Sequence, residues 1–460
     1  MKTECTTEQM AFQHVGRRSV IGRFDGGIIS SDGGAVLLRE VDKRTGISER
    51  LAGCFRDYRQ QERIEHSVLS MIRQRICGVA LGYEDLNDHD RLRHDVVMGV
   101  LSEKDQDKPI AGKSTLNRLE LTPEDANAKS RYKKIVADGT AIDELMVAIF
   151  IDSYQSAPSE IVLDIDATDD PLHGHQEGRY FHGYYAEYCY LPLYIFCGEH
   201  LLCARLRPAD KDPASGVLLE LGRIVEQIRV LWPEVRIIIR GDSGFCRDEI
   251  MRYCEDNPKL DYVLGLAKNR RLKKALESEM TQAQKLHQAT QKAARVFKDF
   301  RYRTRKSWSC ERRIVGKAEY LAKGENPRFI VTSIQSEQID ARALYEDFYC
   351  ARGEMENRIK EQQLGLFADR TSTSWMRSNQ LRLYFSSFAY ILVHALRRLG
   401  LTGTELAKAQ CDTIRLKLFK IGAQIRVSVR KVWISFTESY PYFKLFQQVL
   451  LRLQQIPLRC

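Results

Sequence analysis

Residues 343 to 366 read ALYEDFYCARGEMENRIKEQQLGL. At about 100° per residue, Leu344, Phe348, Met355, Ile359 and Leu366 fall within roughly 60° of one another on a helix. They make a stripe that faces a core. Tyr349, Arg352, Glu356, Lys360 and Gln363 make a second stripe, about 80° wide and centred roughly 90° from the first. Glu354 and Glu361 point away from both. One helix thus packs on a core and sets a phenol, a guanidinium, a carboxylate, an ammonium and an amide along its edge. On an arbitrary helix such a stripe is a solvated, salt-bridged face. Only the rest of the chain can overturn that reading.

Just upstream, a charged helix at about 270–293 leads into three strands, Phe297 to Arg305, Ser309 to Val315 and Phe329 to Ile334. This segment has the pattern of an insertion ahead of the organising helix. It carries Arg295, Lys298, Arg301, Arg303, Arg305, Lys306, Arg312 and Arg313, interleaved with Phe297, Phe300, Tyr302 and Trp308. Alternation along a strand puts Arg301, Arg303 and Arg305 on one face. Such a face neutralises phosphates, and the aromatics, Trp308 among them, are of the kind that stacks on bases. A solvated basic face is the competing reading.

Further upstream the texture is α/β. Ile161 to Asp166 is a strand, followed by Ala167-Thr168-Asp169-Asp170 and a Gly/His-rich loop. Tyr184 to Cys197 and Leu201 to Arg207 form a hairpin around Gly198-Glu199-His200. Ser215 to Leu231 is a helix, Arg236 to Arg240 an Ile-rich buried strand, Asp248 to Cys254 a helix and Asp261 to Ala267 a strand. That order predicts a mixed sheet with an antiparallel start and a parallel finish.

Asp164 and Asp166 share one face of their strand. A carboxylate in an apolar strand is costly unless it is paired or binds a cation. Asp242 ends another strand, and Gly241 and Gly244 permit a tight turn beside it. Ligand sites in open α/β sheets gather at such strand ends. With Glu356 packed against the same sheet, three carboxylates can converge. Mg²⁺ prefers such oxygen ligands and keeps room for water and phosphate oxygens. Two such ions about 4 Å apart clamp the attacking and leaving oxygens of an in-line phosphoryl displacement.

The ordered set Asp166-Ala-Thr168-Asp169, Gly241-Asp242-Ser-Gly-Phe and Tyr349-x-x-Arg352-x-x-x-Glu356 resembles the DDE transposases of bacterial insertion sequences, whose signature is Tyr-x2-Arg-x3-Glu-x6-Lys. With LDIDAT, HGHQEG and RGEMENRIKEQ added, the sharper resemblance is to the subgroup called transposase DDE domain group 1, over about residues 20 to 450. It implies a ribonuclease-H-like core: an α/β mixed sheet flanked by helices, with a β-rich insertion before the Glu helix and a helical N-terminal domain. It also implies that Asp166, Asp242 and Glu356 are the catalytic, metal-binding triad for two Mg²⁺ ions, with Mn²⁺ as the alternative. Tyr349 and Arg352 would contact DNA phosphate near the cut. Where the signature has lysine this chain has Gln363, and Lys360, one turn earlier on the stripe, is the candidate to supply the charge. Asp164 is the rival first ligand, ranked below Asp166 because Asp166 holds the family's Asp-x-Thr position.

Implied partners are double-stranded DNA, as terminal inverted repeats and target, and a second copy, because two ends must be joined. The rival functions are a metal-dependent nuclease of the same fold and a catalytically inactive, transposase-derived regulator of DNA.

Composition bounds these readings. The chain has 460 residues, too many for one simple core, with 43% hydrophobic and 29% charged. Its net charge of +10 favours a polyanionic partner. The start has no signal pattern. The most apolar helix, Leu383 to Leu396, falls short of the roughly 20 residues that span a bilayer. Twelve scattered cysteines without a C-x-x-C pair read as reduced thiols of a cytoplasmic protein. Five segments follow: a helical module at 1–155 for end binding or packing, a core first part at 156–268, the basic insertion at 269–338, a core second part at 339–400, and a basic tail at 401–460.

Three smaller readings complete the chain. Glu62 to Gly82 is the clearest N-terminal helix, with Arg63, Arg73 and Arg75 off its apolar stripe and free to dock on DNA or serve packing. Ala111-Gly112-Lys113-Ser114-Thr115 mimics a phosphate-binding loop, but Asp107 stands where its first glycine belongs. Ser114 is then the cap of a helix Thr115 to Leu119. His173, His175 and His182 near Glu177 match no common zinc spacing and read as a polar loop. In the tail, Ile425 to Arg430 alternates with basic residues on one face.

Overall fold

The computed structural model describes residues 9–104 and 108–459. Residue 107 and the first eight residues lie outside them.

The N-terminal part is less purely helical than its composition predicts. It opens with a two-stranded ribbon, β1 (Met10–Val15) and β2 (Arg18–Gly22), then β3 (Ile29–Ser30). Gly16 at φ +61 turns the ribbon. Helices α1 (Val36–Thr45), α2 (Val68–Ala80) and α3 (Gly139–Asp152) follow, with a short strand pair Phe55–Asp57 and Ile135–Ala137 between them. The helix expected at Glu62 starts at Val68 because Ser67 caps it, its hydroxyl accepting from the Ser70 amide at 3.1 Å. The helix is buried all round, so residues off its apolar stripe meet neighbours and not solvent. Arg73 pairs with Asp42 at 3.0 Å and Arg75 with Glu120 at 2.9 Å, both buried. The DNA-docking reading of these two arginines is therefore corrected, and Arg63 alone of the three is exposed. The helix expected at Thr115 is Lys113–Glu120, with Gly112 and not Ser114 at its cap position. The Lys113 amide donates to Asp90 at 3.1 Å.

Among the described residues the centre is one nine-stranded sheet. Its strands are β4 (Glu160–Ala167), β5 (Leu193–Cys197), β6 (His200–Arg205), β7 (Arg236–Gly241), β8 (Leu260–Leu266), β9 (Ala294–Tyr302), β10 (Arg312–Leu321), β11 (Arg328–Thr332) and the short Gly324–Glu325. The order is β6-β5-β4-β7-β8-β11-β10-β9. β4, β5 and β6 pair antiparallel, while β7 pairs parallel with both β4 and β8. The antiparallel start and parallel finish are as expected. The expected strand Tyr184 to Cys197 is broken: Glu187–Tyr190 joins a small side sheet, and β5 begins after Pro192, which has no amide to donate. The insertion is not a separate β layer. β11 adds antiparallel to β8, so its strands lengthen the core sheet.

Helices α4 (Val217–Leu231), α5 (Asp248–Asp256) and α6 (Glu277–Thr290) cover one face with α3. The other face carries the segment around α7 (Gly353–Lys360), which holds Glu356, and α8 (Met376–Leu396). The tail forms the hairpin β12 (Ala423–Ser428) and β13 (Lys431–Phe436), then α9 (Phe443–Gln454). Ile421, Ile425, Phe446 and Leu453 share one core with Leu37, Ile72 and Ile76. The tail thus completes the N-terminal module. Among the described residues no helix is long and apolar enough to cross a membrane.

Candidate active site

Register brings the two aspartates together. β4 and β7 run parallel with Ile165 opposite Gly241. Asp166 and Asp242 follow those two residues, so they leave adjacent strands side by side. A side chain at 241 would sit 2.7 Å from Ile165, so only glycine lets the strands close here. Asp242 caps the turn Ser243–Phe245, its Oδ1 accepting from the Gly244 amide at 2.8 Å. Asp166 Oδ1 accepts from the Ala167 amide at 3.0 Å. Burial, joined by the like charges of Asp242 and Glu356 and opposed by Arg352, pushes the Asp166 carboxyl up to about 6.

Arg352 ties the helix to this pair. Its Nη1 donates to Asp166 Oδ2 at 3.1 Å and its Nη2 to Glu356 Oε1 at 2.8 Å. One guanidinium thus bridges a strand-end aspartate and the exposed helix glutamate. Tyr349 lies one turn away, largely buried beside Gly265. A Cβ at 265 would stand 2.5 Å from the Tyr349 hydroxyl and 2.9 Å from the Ser243 amide nitrogen. Burial and Asp242 raise the phenol's pKa against the pull of Arg352. Beside them opens a cleft of about 440 Å³ lined by Asp242, Ser243, Lys268, Arg328, Tyr349 and Arg352.

The segment from Ala341 to Gly365 is not a uniform α-helix. It has π-helical turns at Leu344–Tyr349 and Glu361–Gly365 on either side of α7. Leu344, Met355, Ile359 and Leu366 are buried as counted, and Glu354 is exposed. Glu361 departs from the count: it is buried, paired with Arg397 and accepting from the Cys411 amide at 2.7 Å. Arg397 and the Cys411 amide cover the side of the helix that the count leaves to solvent. Lys360 is exposed and has no ion-pair partner among the described residues. Gln363 Nε2 donates to the Asp169 carbonyl at 2.9 Å, fastening the helix to the loop after Asp166.

Asp164 faces the same helix but is not free. Arg240 grips it with Nε and Nη2 at 2.6 and 2.8 Å, and both are buried. Arg240 also donates to the Phe348 carbonyl and lies 5.3 Å from that ring's centre. Neither this strut nor the Gln363 tie was anticipated. The one signal in the sequence was a basic residue ending the Ile-rich run of β7.

Half of the insertion's named basic residues are paired with acids, some within the insertion and some in neighbouring elements. Arg295 pairs with Glu319 and Glu346, Lys298 with Glu279, Arg312 with Asp248 and Glu255, and Arg313 with Asp299. Arg301 is exposed on β9. Arg303 and Arg305 lie beyond its end, because the strand stops at Tyr302, so the single arginine face is corrected. Trp308 is 5% exposed, with Arg312 5.5 Å from its centre and Tyr302 edge-on at 5.8 Å. A ring so enclosed has no face for a base, which corrects its stacking role.

Among the described residues no three His, Cys, Asp or Glu side chains stand ready to enclose a metal ion. At the carboxylate site the guanidinium of Arg352 holds the position a cation would share. The donor set still fits a hard divalent ion: three carboxylates of like charge, offering only oxygen. The histidine loop gathers no such set.

A family model described as transposase DDE domain group 1 matches residues 12–458. No curated protein matches the chain. Among solved structures, a chain of the cryo-EM structure of the piggyBac transposase synaptic complex with hairpin DNA is similar at 10% identity and a TM-score of 0.41. The similarity covers 92% of this chain and 82% of that one.

Proposed function

We propose, from the premise that this chain belongs to the transposase DDE domain group 1 family and is a DNA transposase, that Asp166, Asp242 and Glu356 are its catalytic carboxylates. The observation that carries this is the register of β4 and β7, which sets Asp166 beside Asp242, with Arg352 joining Glu356 to them. The three carboxylates would hold two divalent ions, Mg²⁺ by preference and Mn²⁺ as substitute. When bound, such ions activate water and stabilise the oxygens of an in-line displacement.

The chain's own residues do the positioning. Arg352, drawn from its carboxylates by a phosphate, grips the scissile phosphodiester as a bidentate donor. Tyr349, buried against Gly265, donates its phenolic proton to a neighbouring phosphate oxygen. Lys360 and the exposed Arg301, Arg303 and Arg305 neutralise phosphates farther along the strand. Hydrolysis breaks a P–O bond and leaves a 3′-hydroxyl at the element's end. That oxygen then attacks a target phosphorus and joins strand to strand, releasing a target 3′-hydroxyl. The substrates are terminal inverted repeats and target DNA. Two copies act together, in the cytoplasm where that DNA lies.

Asp166→Asn, Asp242→Asn and Glu356→Gln should each lower cleavage of an end-bearing duplex by about three orders of magnitude or more. Duplex binding, read by gel shift, should persist in all three. Full cleavage by any one variant removes that residue from the triad. Cleavage by the parent without joined product makes the protein a nuclease, and binding without either product makes it a regulator.

A further inference from the structure

The ribbon β1–β2 stands apart from the body. All its residues but the half-buried Gly22 are exposed, and it pairs with no other strand among the described residues. An isolated two-stranded ribbon is marginal in water, and this one shows Phe12, Val15 and Ile21 to solvent. The hairpin β12–β13, from the far end of the chain, springs from the same place. β3 pairs with β12 through Ile29 and Gln424, and Gln424 Nε2 donates to the Gly26 carbonyl at 3.3 Å.

Both hairpins are basic, and both are basic at the tip. Residues 9–24 and 423–436 contain Arg17, Arg18, Arg23, Arg426, Arg430 and Lys431, and no Asp or Glu, although acidic residues make up 61 of the chain's 460. The turns carry Gly16-Arg17 and Val429-Arg430. Among the described residues Arg17, Arg18, Arg426 and Arg430 make no ion pair, unlike the paired arginines of the insertion. Lys431 lies 5.3 Å from the centre of the Trp433 ring.

We propose that these two hairpins form a clamp for duplex DNA, separate from the carboxylate site. A polyanion matches six cations with no acid among them. A second copy of the chain does not, because a self-complementary contact here would press like charges together. A two-stranded ribbon also fits the major groove, where apolar side chains can meet thymine methyls. The clamp rests on the transposase reading only in that its ligand is DNA.

The test uses the full chain carrying Asp166→Asn, so that no DNA is cut, and a labelled mixed-sequence duplex in fluorescence anisotropy. Arg17→Ala/Arg18→Ala and Arg430→Ala/Lys431→Ala change exposed tips, and circular dichroism checks their folding. Each pair should weaken binding about tenfold at low salt and lower the slope of log affinity against log salt by about 2. Unchanged affinity and slope in both variants overturn the clamp and leave the catalytic assignment standing. Loss of a dimer in sedimentation, with DNA affinity intact, gives the surface to a second copy and also overturns it. A parent that binds no duplex overturns the clamp and the DNA-binding part of the proposed function together.

Discussion

Arg352 answers two carboxylates with one charge. A divalent ion arriving between Asp166 and Glu356 has to displace it, and a displaced guanidinium is free for phosphate. Metal and DNA should therefore each favour the other, as linkage requires. Mn²⁺ titration followed by electron paramagnetic resonance should show tighter binding when duplex is present. Arg352→Gln should bind Mn²⁺ more tightly than the parent without DNA, and lose the DNA-dependent gain. Asp166 adds a pH dependence. Its folded pKa, about 6, lies above the usual 3.8, so the folded state holds its proton more tightly than the unfolded one. Without metal, this group's contribution to stability is greatest below pH 4 and is lost as pH rises through 6. Asp166→Asn should accordingly stabilise the metal-free protein at pH 8, by on the order of 2 kcal/mol in urea unfolding, and bring little gain at pH 4. That Asp166 and Asp242 end adjacent strands, with Glu356 on the helix near them, was legible because charge at a strand end or on a helix edge needs a reason. Arg240 was not, because nothing along β7 tells that its side chain reaches back to Asp164 and across to Phe348.

At the scale of elements, the helix carrying Glu356 shows where periodicity stops informing. Counting at a constant angle placed Met355 and Ile359 correctly, because α7 itself is regular, and Leu344 and Leu366, in and just after the π turns, are buried as well. It failed at Glu361, because Arg397 and the Cys411 amide, distant in sequence, cover that side of the helix. Arg73 and Arg75 failed for another reason: a helix buried on all sides hides even its polar face. The strut from Arg240 fixes the helix's first π turn to β4 and β7. Arg240→Met leaves Asp164 buried without its partner and should cost about 3–5 kcal/mol in urea unfolding. Adding Asp164→Leu should restore much of that stability, while DNA cleavage stays low because nothing then holds Phe348 and the residues after it in register. Recovery of both together would make the strut a packing feature only.

Across the whole molecule, the layered α/β plan followed from the order of strands and helices. Two connections were hidden, since pairing partners far apart in sequence leave no periodic trace: the insertion's strands entering the core sheet, and the tail entering the N-terminal core. Three histidines sit wholly or partly buried. Burial, with Arg75 close by, lowers His89 to about 3, and burial, with Arg398, lowers His200 to about 4. Burial also lowers His394, whose ring centre is 4.5 Å from that of His200. These folded pKa values lie below the usual 6.5, so unfolded chains take up protons first as pH falls. The stability that depends on neutral imidazoles is complete above pH 6.5 and declines below it, by up to about 1.4 kcal/mol per pH unit for each group. The urea midpoint should fall between pH 7 and 5, and less steeply in His89→Gln.

The core that joins residues 35–146 to residues 355–453 also has a meaning in time. A ribosome delivers α1 to α3 long before it delivers α8, β12 and α9. Until then Leu37, Ile72 and Ile76 lack the surface they pack on, and such half-built cores are where chains aggregate or wait on chaperones. Glu356 emerges in the same late stretch. Asp166 and Asp242 can stand in a finished sheet before Glu356 is made, so a chain grown that far holds two of the three carboxylates we propose for catalysis.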